Sequence, residues 1–267
     1  MLLFALPSFG YAGQYSPPEY DQAIRARVGI ESYNETYTEY DTTRGNAKFM
    51  QQSALMRGIN SSVEFALSPV HVAFVTARYA TGLSDYIGGY QNAAGTYSGY
   101  GTLRSYGTPR STSELGVGIA LFEPLSVGVG VNQRVLEDHS EFTAGGYYRK
   151  NTILYDYAFI KYSIQLDSAM VTPKATYKHL IGGKQYSGPS LGMAQGTTNT
   201  QNAGKGYNFE VSIIFPAGKR TVELTPFYRF MEIQDSDWVS TNTAIGMGVI
   251  EPKNRTVETG LNAQLLF

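Results

Sequence analysis

The sequence predicts an all-β fold: a transmembrane, up-and-down antiparallel β-barrel of ten strands. Three observations predict it. Ten stretches alternate apolar and polar side chains with a period of two. The connections between them alternate short and long without exception. No segment carries ~18 uninterrupted apolar residues, so a bilayer could be crossed only by strands closed into a barrel. Eight strands, with two hairpins misread, is the runner-up.

The stretches follow in order. Residues 23–37 place Ile24, Ala26, Val28 and Ile30 outward, and Arg25, Arg27, Gly29 and Glu31 inward. In 53–67, Ile59, Val63, Phe65 and Leu67 fall outward. In 70–84, Ala73, Val75, Ala77 and Tyr79 share a face. Residues 113–122 set Leu115, Val117, Ile119 and Leu121 against Glu114, Gly116, Gly118 and Ala120. Residues 125–137 oppose Val127, Val129 and Val131 to Gly128, Gly130, Asn132 and Arg134. In 150–164 the reading turns Ile153, Tyr155, Tyr157 and Phe159 outward. The remaining strands are 169–181, 206–215, 220–233 and 256–267. Short turns at Ser68-Pro69, Glu123-Pro124, Asp167-Ser168 and 216–219 hold the Pro, Gly and Asp that tight turns use. Long loops are expected at 38–52, 85–112, 138–149, 182–205 and 234–255.

Composition narrows the function. The chain has 267 residues, 16% charged, and a mean hydropathy of −0.22, which suits neither a disordered chain nor a helical membrane protein. Tyr 21 and Phe 13 suit a surface where amphipathic rings meet headgroups. A net charge of −1 leaves no nucleic-acid footprint. The absence of Cys excludes thiolate metal sites and disulfides. Residues 1–12 read as the remnant of a signal peptide, 13–22 as a periplasmic lead, and 23–267 as the barrel.

The final stretch carries a resemblance. Val257, Leu261, Ala263, Leu265 and Phe267 form an apolar face opposite Glu258, Gly260, Asn262 and Gln264. This resembles bacterial outer-membrane β-barrels, whose last strand closes the barrel and carries a terminal Phe. The Tyr-Gly-rich second loop and Tyr147-Tyr148-Arg149-Lys150 are similar to small OmpA-like and opacity-type barrels. The resemblance implies a bacterial outer-membrane location, contact with outer-membrane lipid and lipopolysaccharide, and an assembly machinery that reads Leu261, Ala263, Leu265 and Phe267. A monomer is expected by default, and no residue pattern calls for a cofactor.

The inward face holds the candidate site. Arg25, Arg27, Arg78, Arg134, Lys174, Lys178 and Arg229 face Glu31, Glu64, Glu114, Asp156, Glu210, Glu223 and Glu258. Charges turned into a narrow lumen must pair, so an interior salt-bridge network is expected. A pore selective for one sign would show that sign in excess, and here the signs balance. Gly116, Gly118, Gly128 and Gly130 leave inward space for a neighbour such as Phe74 or Arg78, or for water. The leading function is structural or porin-like, with slow passage of small solutes if the lumen is open. A surface adhesin or receptor acting through loops 85–112, 182–205 and 234–255, and meeting a host ligand, is the alternative. A hydrolase at the rim, using Asp85 and His179, is a weaker third, because no triad spacing supports it.

Overall fold

The computed structural model describes residues 24–89, 98–121, 124–142, 146–189, 195–242 and 247–267. The expected signal remnant at 1–12, the lead at 13–22, and Tyr90 and Tyr97 lie outside the described residues.

Ten long strands form the wall: β1 Ile24–Asp41, β2 Ala47–Ser68, β3 His71–Gly88, β4 Leu103–Leu121, β5 Leu125–His139, β6 Tyr148–Tyr162, β7 Met170–Ser187, β8 Gly204–Ala217, β9 Arg220–Ile233 and β10 Lys253–Leu266. Each pairs antiparallel with the next. The ring closes between β1 and β10, where Val28 faces Leu265 and Glu35 faces Glu258. Closure leaves no strand edge unpaired, which is what lipid demands of a backbone. The eight-stranded alternative is set aside.

The outward positions form an apolar belt. Ile24, Val28 and Ile30 on β1, Ile59 and Phe65 on β2, Val117 and Ile119 on β4, and Val127 and Val129 on β5 are all exposed. A soluble protein rarely leaves so continuous an apolar surface open, and a lipid-facing barrel requires it.

The strands overrun this belt. They are 14 to 22 residues long, against the ~9–11 that cross a bilayer. The expected loops shrink accordingly. The loop predicted at 38–52 is only the turn 42–46, a 3-10 turn over Thr42–Arg44. The Asp41 carboxylate caps it by accepting from Thr43 N, and Gly45 closes it at φ 67°. The flanking residues stay in the sheet with Met50, Gln52 and Glu39 turned inward and buried. Beyond the other long strands lie a short strand, Thr197–Gln201, added to β7, and a hairpin, Val239–Asn242 with Met247–Val249.

One strand faces opposite to expectation. Ile153 and Tyr155 are each 1% exposed and point inward, with Tyr157 and Phe159 below them. Leu154, Asp156, Ala158 and Ile160 point outward. β6 is apolar on both faces, so polarity does not set its phase. The glycines of its neighbours do. Tyr157 lies against Gly130, Phe159 against Gly128, and Phe74 against Gly118, filling space that a Cβ would occupy. Inside the barrel two small apolar clusters result: Tyr33, Ala54, Met56, Ala80 and Phe227, and Ile153, Tyr155, Leu180, Met231 and Ile233.

Candidate functional site

The lumen is crossed by a ladder of ion pairs. Its middle rung is Glu258 on β10. Its carboxylate accepts from Arg78 Nη2 at 2.7 Å, Arg134 Nη2 at 3.0 Å and Arg229 Nη1 at 3.2 Å. Arg78 also donates from Nε to Glu31 at 2.6 Å and from Nη1 to Glu114 at 3.1 Å. Lys178 Nζ adds a donation to Glu114 at 3.0 Å. Asn132 Nδ2 closes on the same Glu114 oxygen. Alternation puts these side chains on one face, and the register sets Arg78, Glu114 and Arg134 side by side on β3, β4 and β5.

Below, toward the short turns, the pairs are wetter. Arg27 bridges Glu64 at 2.7 Å and Glu223 at 3.0 Å, and Arg25 reaches Glu64 at 3.0 Å. Lys174 pairs with Glu210 at 3.1 Å. A cavity of about 280 Å³ remains here, lined by Phe74, Tyr157, Phe159, Lys161 and Asn208 among others. A cavity of this size, with Lys161 and Asn208 on its wall, has room for several waters.

Above, toward the long connections, the ladder continues through residues the sequence reading missed. Arg134 Nη2 donates to Glu35 at 3.0 Å, and Glu35 accepts from Arg110 Nε at 2.5 Å. Arg110 Nη1 donates to Gln52 Oε1 at 3.0 Å, and Gln52 Nε2 donates to Asp138 at 2.6 Å. Asp138 accepts from Arg149 Nη2 at 2.8 Å, whose Nη1 donates to Glu39 at 2.7 Å. Arg110 and Arg149 flank the Tyr37 ring, at 5.2 and 5.6 Å from its centroid. Glu35, Glu39, Gln52, Arg110, Asp138 and Arg149 are all buried. Several lay in segments read as loops. A signal for two existed: counting by twos from Glu31 along β1 reaches Tyr33, Glu35, Tyr37 and Glu39.

The predicted lumen charges therefore pair in two groups, Arg25, Arg27, Glu64 and Glu223 in one and the charges around Glu258 in the other, with one correction. Asp156 is not inward. It follows the reversed phase of β6, and its carboxylate lies 3.1 Å from His179 Nδ1 on the outer wall, both side chains more than half exposed. Asp85 accepts from the backbone N–H of Gly107 at 3.3 Å. Asp85 on β3 and His179 on β7 both point outward, with three strands between them, so the structure does not bring them together. The closing strand sits as expected between β1 and β9. Leu261, Leu265 and Phe267 are exposed outward beside half-buried Ala263, and Phe267 N donates to Ala26 O at 2.9 Å. Among the described residues no group of three His, Asp or Glu is placed to hold a metal ion.

No protein-family model matches the chain, and no curated protein matches it. Its likeness is to solved structures. The outer membrane protease OmpT from Escherichia coli superposes with a TM-score of 0.61 at 11% identity, covering 91% of this chain and 96% of that one. Neisserial surface protein A gives 0.36 at 9% identity, covering 91% and 96%. Ail, the attachment invasion locus protein of Yersinia pestis, gives 0.31 at 10% identity, covering 92% and 100%. At 11% identity the likeness to OmpT is one of fold alone, and it agrees with the closed wall. The chain is a closed ten-stranded antiparallel β-barrel of the bacterial outer-membrane type.

Proposed function

We propose that this is a structural envelope barrel whose lumen is sealed in its resting form. One observation carries the reading. From Glu258 through Arg134, Glu35, Arg110, Gln52 and Asp138 to Arg149, each buried side chain is bonded to the next. An ion entering this run would have to break charge-assisted bonds in a water-poor interior, where they are strongest. The balanced signs also offer no selective path. The belt holds the barrel in lipid and lipopolysaccharide as a monomer. The strand ending in Leu261, Ala263, Leu265 and Phe267 is the segment an assembly machinery would read. The test is ion conductance of the refolded, heat-modifiable protein in a planar bilayer. A folded but silent barrel is expected. Reproducible discrete steps would overturn the seal and restore the porin-like reading.

A second reading is favoured by the outer surface. Phe142, Tyr106 and Trp238 are 72%, 66% and 57% exposed beyond the belt. Large apolar side chains left open there suit recognition of a partner surface. Surface binding through 85–112, 182–205 or 234–255 would be lost on trimming those loops and would survive changes to the inner ladder.

A further inference from the structure

Glu251 precedes β10 and closes the base of the outer hairpin. Its side chain is buried at the barrel mouth. The Tyr37 hydroxyl lies 3.0 Å from Glu39 Oε1 and 3.1 Å from Glu251 Oε1. A phenol brings one hydrogen and an ionised carboxylate brings none. The phenol can donate to one of the two. A proton on the other carboxylate would let it donate in turn to the phenol oxygen, so one extra proton satisfies both contacts. Arg149 Nη1 donates to Glu39 at 2.7 Å, and among the described residues Glu251 has no such guanidinium donor, so the extra proton belongs on Glu251. Burial, and then the Glu39 charge, push the Glu251 carboxyl up to about 8, with Arg149 opposing.

The same residue ties down the backbone around it. Ser236 N donates to Glu251 O at 3.0 Å, and Glu251 N donates to Ser236 Oγ at 2.8 Å. Asn199 Nδ2 donates to Asp237 O at 3.0 Å and Val249 O at 3.1 Å. The other charged and titratable groups around Glu251 are accounted for. Tyr37 and Glu39 face it from β1, Arg149 faces it from β6, and Tyr147, just before β6, adds a further phenol. Asp138 on β5 is held by Arg149. On its own segment Asp235 accepts from Thr42 Oγ1 and Lys253 N, and the Lys253 ammonium turns to Glu232.

We propose that Glu39, Tyr37 and Glu251 form a proton-dependent latch: neutral Glu251 docks the residues around Ser236 and Val249 onto the barrel mouth, and ionised Glu251 weakens that docking. The sign follows from proton counts. The docked form binds its proton up to pH of about 8, whereas a released Glu251 loses it near the ordinary value of 4.5. Docking is therefore strongest below the lower value. It weakens about tenfold per pH unit between the two, and does not weaken further above the upper one.

The test uses the full refolded chain as wild type, E251Q and E39Q. The first readout is the carboxyl carbon resonance of Glu251, assigned by its loss in E251Q. The second is amide hydrogen exchange at Ser236 and Glu251, corrected for intrinsic rates. In the wild type the resonance should titrate near 8, and protection should fall about 1,000-fold between the ordinary Glu value and pH 8. E251Q should be independent of pH within a few-fold. E39Q should move the Glu251 titration down and flatten the loss of protection. Titration of Glu251 near its ordinary value overturns the proposal, as does equal protection at pH 5 and pH 8. If E251Q does not fold, the wild-type titration and exchange decide alone.

Discussion

In the outer half of the lumen the side chains of Arg110, Glu35 and Asp138 are each about 1% exposed, whereas in the half nearer the short turns Arg25 keeps 30% and Lys174 keeps 35%. Both halves use the same chemistry, guanidinium or ammonium against carboxylate. The difference is water. The lower pairs border a cavity, so a broken pair can be hydrated in place. The upper pairs are almost fully buried, and Glu35, Asp138 and Glu39 each accept from two or three donors at once. A charge in the upper half is fixed by its neighbours, and one in the lower half is only favoured by them.

The sharpest way to break that contrast is Glu35→Ala. It leaves Arg110 and Arg134 without their shared carboxylate in a dry interior. Removing one partner from such a group costs about 3–5 kcal/mol, because a charge stays buried and unmatched. Denaturant unfolding in lipid vesicles should show this as a large drop in midpoint. A loss below 1 kcal/mol would mean that water reaches the upper half and that the seal is illusory.

Gly130→Leu tests packing instead of charge. The Tyr157 ring and the Val117 carbonyl occupy the space a side chain would need. Overpacking of this kind costs about 1–3 kcal/mol. The same midpoint measurement should fall by less than it does for Glu35→Ala. Tolerance of Leu would show that Tyr157 can swing into the cavity below it.

Lys174→Ala comes next. Its pair with Glu210 is more than a third exposed on the lysine side, and Arg229 lies 3.7 Å from the same carboxylate. Screening by solvent limits the cost to about 1 kcal/mol or less. The ratio of this loss to that of Glu35→Ala measures how different the two halves are.

The sequence made the wall legible and only part of the interior. Within the belt, Val28, Val117, Val129 and Leu261 alternate with charged, polar or glycine neighbours, because one side meets lipid and the other meets the lumen. Polarity therefore reports the face directly. Beyond the belt both sides of a strand meet polar surroundings. Tyr40, Lys48 and Gln51 outside are as polar as Glu39 and Gln52 inside, so the pattern fades while the pairing continues. That is why the upper ladder was hidden in segments read as loops. β6 failed for another reason. Its aromatics match the belt in polarity and match the lumen in shape, and only the glycines of β5 reveal which one wins.

The smallest expected effect tests that correction. Asp156 and His179 face each other on the outer wall with their side chains 54% and 60% exposed. Neighbouring outward residues place them beside Tyr177 and Ile181, both exposed on the same strand. A pair this open is screened, so Asp156→Asn and His179→Ala should each change stability by no more than about 0.5 kcal/mol. Neither should alter the conductance of the barrel, since neither side chain enters the lumen. The same midpoint measurement checks this. A loss above 2 kcal/mol from Asp156→Asn would require a buried carboxylate. β6 would then have to be turned by one residue, with Tyr155 and Tyr157 in lipid, and Gly128 and Gly130 would be left facing an empty gap. Because a one-residue slip exchanges every side chain between the two faces, this surface substitution decides the phase of the whole strand.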